Sequence, residues 1–456
     1  GRRVLELARR SRHRVYFTGD SSYQSRGRAA PPTSIAAVAT TDCSMLAATT
    51  RVAARSTAIA VRRASTSSSV CLTWGEGTHG ELGHYPFVTS GLMKQYLELT
   101  PRQLEGVDFR DIACGTNHTL AVDGSGKVWS WGKGENGKLG HGDDADRHKP
   151  EMLQGFAGVE IVKVACGESH SLALDKDGRC YAWGWGGSWV SGGGHLGQGS
   201  RDHVFEPTLI EGALEEAPVT SISAGEAHSV FLTSDGEVWT CGAGEHGRNG
   251  NGGSSDVLKP EPVTALDDVE IVEAQAGSAF TVTRCSEGLV RVWGRNDQGQ
   301  LGLGGGLAMD VYALEDLPII VERDDVPLQA TAVAAGHSHV AVVSTDAELL
   351  QWGAKLALGP APHLFEEEGG RVPLPKRVWC GGGYTLVEST DGVLYSFGQG
   401  GSKCLGHGDK AREPHPKKVE ALSGFSASTV ACGFRHAAAL GSWDPWASPP
   451  PATDAK

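Results

Sequence analysis

The chain repeats one module, and the spacing inside that module does not vary. A glycine opens it and a second glycine closes it 17 residues later: Gly115 and Gly132, Gly167 and Gly184, Gly225 and Gly242, Gly277 and Gly294, Gly336 and Gly353, Gly381 and Gly398. From one opening glycine to the next the distance ranges from 45 to 59 residues. A constant interior between connections of variable length marks a structural unit joined by surface loops. In the clearest copy, Cys114–Gly132, a short apolar strand runs into an Asp-Gly turn and a second strand ends in Trp-Gly. That is the pattern of a β-hairpin.

Two half-modules remain. Trp74-Gly75 closes a hairpin that has no opener, and Gly433, followed by Phe434-Arg435-His436, opens one that has no closer. Setting Cys71–Gly75 beside Ala437–Leu440 completes a seventh module from both ends of the repeat region and removes exposed sheet edges. The expected fold is therefore all-β, a seven-bladed β-propeller over residues 70–440. A Pro-x-x-aliphatic step stands ahead of each hairpin, at Pro101, Pro150, Pro207, Pro260, Pro318, Pro375 and Pro416. Proline donates no ladder hydrogen bond, so this step reads as an outer, edge strand. Each blade is then expected to hold this strand, a second strand before the opening glycine, and the hairpin.

Residues 1–69 differ in kind. They carry twelve Arg, no Lys and three acids (Glu6, Asp20, Asp42), a net of +9, whereas the remaining residues hold 29 basic and 51 acidic side chains, a net of −22. A basic segment rich in Arg, Ser and Ala and poor in acids reads as an organellar transit peptide. Met45 is the expected start, and Arg63-Ala64-Ser65 offers a processing junction. A mitochondrial address is expected, with a plastid as the alternative. The Pro-rich tail 441–456 is expected to be disordered. No run of about 18 apolar residues is present, so no membrane-spanning helix is expected.

The ten cysteines do not form a CxxC pair. Cys114, Cys166, Cys380 and Cys432 occupy one position of the module, where Ala224, Ala276 and Ala335 stand in other copies. Exchange with alanine indicates small buried sites, free thiols and no zinc. No metal and no cofactor are expected. There is no P-loop, and Ser-His pairs such as Ser169-His170 lack a third partner, so no enzyme is expected. The acidic ring disfavours binding to a phosphate backbone, so nucleic acid is not an expected partner.

With its G-x-x-H-[ST] openers, Asp-Gly turns, Trp-Gly closers and Gly-x-Leu-Gly loops, the region 70–440 resembles the regulator of chromosome condensation repeats. That family includes the seven-bladed exchange factor for the small GTPase Ran. The resemblance implies a protein-interaction ring. Its action would be guanine-nucleotide exchange on an organellar GTPase or, alternatively, a non-catalytic scaffold role in mitochondrial ribosome or respiratory-complex assembly. A monomer is expected.

The repeated His118, His170, His228, His339 and His436 give way to Phe280 and Tyr384 in two copies. A ring of metal ligands cannot tolerate Phe, so these imidazoles are expected to serve the scaffold. Functional residues are sought where the module varies. The pair after each opening glycine differs in every copy, and in the resembled family these turns contact the GTPase. Carried over by position, Asn117, Glu168, Glu226, His337 and Arg435 are the contact candidates. The second break follows Gly184, where Trp185–Gly199 reads W-G-G-S-W-V-S-G-G-G-H-L-G-Q-G. A glycine-rich loop that presents Trp185, Trp189 and Val190 is expected to anchor a partner. A second insertion, Gly305–Asp325, is acidic and expected to be a surface loop.

Overall fold

The computed structural model describes residues 69–84, 97–190, 192–212, 214, 217–303, 319–353, 363–364, 374–409 and 411–444. The basic segment with Met45, most of the Gly305–Asp325 insertion and residues 445–456 of the tail lie outside the described residues, whereas residues 441–443, expected to be disordered, continue the strand His436–Trp443 opposite Phe425, Ser426 and Ala427. Between Val70 and Trp443 the strands form seven four-stranded antiparallel sheets, the blades of a β-propeller, together with two short two-stranded ribbons. Blade 2 is representative. From the channel outward its strands are Phe109–Cys114, His118–Asp123, Val128–Gly132 and Arg147–Met152.

The ring closes as the half-modules require. Val70–Glu76 pairs antiparallel with His436–Trp443, with Cys71 opposite Leu440 and Trp74 opposite Ala437. Blade 1 thus takes its inner strands, Phe425–Cys432 and His436–Trp443, from one end of the repeat region and its outer strands, Val70–Glu76 and Leu97–Leu104, from the other.

The proline strands correct the sequence reading. Arg147–Met152, which contains Pro150, pairs with Val128–Gly132, the closing strand before it. The outer strand therefore completes the preceding blade. The closing strand offers a free ladder edge immediately upstream, and an antiparallel return fills it. Pro375 departs further, because it opens the innermost strand Pro375–Cys380 opposite Ser389, while blade 6 ends on His363–Leu364. In blade 2 the left-handed turn residue is Gly126 (φ 81°) rather than Gly124. Asp123 caps that turn, accepting from the Ser125 and Lys127 amides at 2.8 and 3.1 Å.

The module's fixed glycines have a steric cause. Closing Gly132 has φ 108°, and a Cβ there would lie 2.6 Å from the Asn117 carbonyl oxygen. A Cβ on opening Gly115 would lie 2.6 Å from both the Gly167 carbonyl oxygen and the His118 ring. Backbone that meets backbone at this range cannot yield, so both sites exclude any side chain.

The imidazoles tie blade to blade. Nε2 of His118 meets Ser171 Oγ of the next blade at 3.0 Å, His170 meets Ser229 at 3.0 Å, His228 meets Thr281 at 3.1 Å, His339 meets Thr385 at 3.1 Å and His436 meets Thr119 at 2.9 Å. The hydroxyls of Ser171, Ser229, Thr281 and Thr119 already donate to loop carbonyls, those of Lys138, His195, Arg248 and Glu81. In these four pairs the imidazole is therefore the donor, which fixes the Nε2–H tautomer. The Trp closers converge on the same loops. Trp131, Trp183 and Trp293 donate to the carbonyls of Glu81, Lys138 and Arg248 at 2.8, 2.9 and 3.0 Å. These tryptophans are fully buried.

A pH dependence follows from this belt. Burial lowers the imidazole pKa of His339 and His436 to about 4 and that of His170 to about 3, from 6.5. Below pH 6.5 the unfolded chain takes up protons that the folded ring refuses. Stability contributed by the neutral imidazoles is therefore complete above that pH and is lost as pH falls toward 4. His170→Phe, the residue type that blade 5 uses at Phe280, should shrink the slope of the urea midpoint against pH across this window. An unchanged slope would show that the belt does not set the acid limit.

Candidate functional site

Each hairpin pairs its closing glycine with the repeated His, or with Phe280 and Tyr384 in two blades, as Gly132 pairs with His118. The opening turns and the loops after the closers therefore share one face, and the Asp-Gly turns occupy the other. On the first face the opening turns knit the channel mouth. Thr116 N–H donates to the Gly167 carbonyl, Glu168 to Gly225, Glu226 to Ser278, Ser278 to His337, His337 to Gly381, Gly382 to Gly433 and Phe434 to Gly115, all at 3.0–3.3 Å. This circuit of backbone bonds makes the mouth a rigid platform.

The same geometry divides the variable pairs. The first residue of each pair lines the mouth: Thr116, Glu168, Glu226, Ser278, His337, Gly382 and Phe434. The second residue gives its backbone carbonyl to the chain just after the closer, as Asn117 does to the Lys133 amide and Arg435 to the Glu76 amide, both at 2.8 Å. Among the sequence candidates, Glu168, Glu226 and His337 thus share the mouth, and Asn117 and Arg435 stand outside it. The Arg435 guanidinium pairs with Glu76 at 3.5 Å and lies 5.6 Å from the Phe434 ring centre. Phe434, which sequence reasoning passed over, meets His337 edge to face at 5.0 Å. Gly382, in the blade between them, makes this possible, since a Cβ there would fall 2.2 Å from the Phe434 carbonyl oxygen.

Glu168 and Glu226 belong to adjacent blades, and neither forms an ion pair among the described residues. Burial, and then the Glu226 charge, push the Glu168 carboxyl up. Beneath them Lys138 and Arg248 are buried, and burial pulls both cations down. Thiols of Cys114, Cys166, Cys380 and Cys432 also line the channel, and burial pushes them all up. They are protonated and poorly nucleophilic at neutral pH. Among the described residues no group of three or more His, Cys, Asp or Glu is arranged to hold a metal.

The loop after Gly184 folds into a small ribbon. Gly187 pairs with Gly193 and Ser188 with Gly192. Its tip is Trp189-Val190, 88% and 97% exposed. Trp185 is placed otherwise, at the base, with its ring 5.0 Å from His195 and 6.4 Å from His203. His195 is fully buried, and burial lowers its pKa to about 4. Glycine permits the ribbon, because a Cβ on Gly187 would sit 2.2 Å from the Gly193 Cα.

A family model described as the regulator of chromosome condensation (RCC1) repeat matches residues 70–122, 125–174, 177–232, 235–283, 287–343 and 391–440. The chain belongs to the RCC1 repeat family. The matches between residues 125 and 343 each run approximately from one hairpin turn to the next. A sequence repeat is thus two outer strands of one blade followed by two inner strands of the next, and this offset is why the ring closes by sharing blade 1.

Among curated relatives, the ultraviolet-B receptor UVR8 of Arabidopsis thaliana is 31% identical over 374 residues, covering 79% of this chain and 80% of the receptor. The human E3 ubiquitin-protein ligase HERC2 is 35% identical over 272 residues, 59% of this chain but only 5% of that protein. Human WBSCR16 superposes with a TM-score of 0.70 at 21% identity, covering 82% of this chain and 99% of that one. Prp20p of Saccharomyces cerevisiae, described with its binding properties to Gsp1p and histones, gives 0.70 at 22% identity, over 83% and 93%. These two structures establish likeness of fold. RCC1-type propellers of this kind are protein-interaction modules.

Proposed function

We propose that the face bearing the opening turns docks a protein partner and that the Trp189-Val190 ribbon is its anchor. The observation that carries this is the tip itself, an aromatic and an aliphatic side chain 88% and 97% exposed on a built β-ribbon. Large apolar side chains held in water on a rigid support match the anchors that dominate protein interfaces. The partner in this reading is a small GTPase of an organelle, and the action is accelerated release of guanine nucleotide. Binding of Gsp1p by the yeast relative supports this reading, as do the Glu168 and Glu226 carboxyls at the mouth, which would compete with phosphate for cationic contacts. A ring that binds the nucleotide-free GTPase better than the loaded form shifts the equilibrium toward release. The acid-poor, Arg-rich segment 1–69 supports a mitochondrial address, and a plastid signal shares its composition.

The test uses mitochondrial small GTPases loaded with a fluorescent guanine nucleotide. At least one should release its nucleotide about tenfold faster with the purified chain, a change of about 1.4 kcal/mol in the barrier. If none responds and the chain instead co-purifies stably with ribosomal or respiratory-assembly subunits, the exchange reading falls and the scaffold reading takes its place.

A further inference from the structure

The ribbon cannot hold itself up. It has two residue pairs, three of its four paired positions are glycine, and isolated two-stranded hairpins are marginal in water even with better residues. Its support comes from two residues outside it. The Gly193 amide donates to Asp256 Oδ2 at 3.0 Å, and Arg201 donates to the same oxygen from Nη2 at 2.7 Å and from Nε at 3.2 Å. The Arg201 guanidinium then lies 4.3 Å from the centre of the Trp189 ring. One carboxylate thereby fixes the ribbon's backbone and the cation that carries its tip.

Asp256 belongs to blade 4. Its other oxygen, Oδ1, accepts from the Gly244 amide at 3.0 Å. Asp146 makes the equivalent bond to Gly134 in blade 2, at 2.9 Å, and turns its second oxygen toward His79 of the preceding blade at 3.3 Å. In blades 2 and 4 the position is therefore the same strut, one oxygen for its own blade and one for the blade before. In blade 4 the blade before carries the ribbon. Burial pushes the Asp256 carboxyl up, but the Gly244 and Gly193 amides and Arg201 outweigh it and hold it below the ordinary range. Side chains of Arg201 and Asp256 are 19% and 16% exposed, so the pair is more than a solvated surface contact.

We infer that Arg201 and Asp256 are positioning residues that hold the Trp189 ribbon in its projecting posture before a partner arrives. This rests on the docking reading only for its purpose, since an anchor ordered in advance spares the complex the entropy of ordering it. The posture itself is measurable on the free, full-length chain. Arg201→Met leaves the bond between Asp256 and Gly244 in place, so blade 4 keeps its strut. Asp256→Asn retains an acceptor for Gly244 and removes the charge that holds Arg201.

Both variants should speed hydrogen exchange at Gly187–Gly193 by about tenfold or more, with blades 3 and 4 otherwise unchanged. Acrylamide quenching of the Trp189 signal, obtained by subtracting the Trp189→Phe protein, should rise in both. Unchanged exchange and quenching in both variants overturn the positioning role, whatever the partner does. A Trp189→Ala chain that keeps its partner's full affinity removes the docking reading instead, and leaves exchange to decide the positioning claim alone.

Discussion

Trp74→Ala should destabilise the ring by about 3–5 kcal/mol, among the larger costs available to a single core substitution. Trp74 is fully buried, and its indole donates to the Cys404 carbonyl at 2.7 Å. Truncation opens a cavity between blades 1 and 7 and leaves that carbonyl without its donor, which adds about 1–3 kcal/mol. The site is diagnostic for a further reason. Trp74 lies on the strand that crosses from the start of the repeat region to pair with its end, at Ala437. Its other ladder partner, Leu97–Leu104, is the outer strand of the same blade, so the packing of Trp74 against Leu394, Cys404 and Leu405 of blade 7 exists only if the ring closes this way. Urea unfolding of the wild-type and variant chains measures it. A shift within about 0.5 kcal/mol, the range of ordinary surface changes, would contradict the closure.

The architecture was legible because its signal is steric and repeats. Gly132 and its counterparts combine positive φ with backbone contact at both strands, so the 17-residue interval cannot drift, and the two leftover half-modules identify the shared blade. What spacing could not reveal was which hairpin each proline strand joins, since it lies between two of them in the chain. The free ladder edge decides that, and only the folded blade has one. Nor could it show that Pro375 opens an innermost strand, because the outer strand of blade 6 is supplied by His363–Leu364.

The site was legible as a place and less so as residues. A break in the module after Gly184 marked the ribbon, and the variable pairs marked the mouth. Which tryptophan projects depends on the ribbon's register: Trp185 precedes its paired residues and packs on His195, while Trp189 falls at the turn. Arg201 and Asp256 were missed because they are 55 residues apart and meet only through the neighbouring blade. One signal was present for Asp256, an aspartate 12 residues after a loop glycine, as in Gly134 and Asp146. It marks a strut and gives no hint of the ribbon.

On the proposed docking geometry the partner is held at the ribbon's tip. Replacing Trp189 and Val190 together by Ala should weaken partner binding by at least about 2 kcal/mol, roughly 30-fold, since aromatic anchors at the centre of interfaces lose this much on truncation. Stability should hold to within about 0.5 kcal/mol, because both side chains are already in water and their removal leaves no cavity. The most direct measurement is calorimetric affinity for the partner that the nucleotide-release or co-purification experiment yields. It compares the wild type, the double variant and Asp177→Ala, which alters a turn on the opposite face. Docking at the tip predicts a loss of about 30-fold or more for the tip variant and none for Asp177→Ala. Full affinity in the tip variant, with weakened binding in Asp177→Ala, would place the interface on the other face and contradict it.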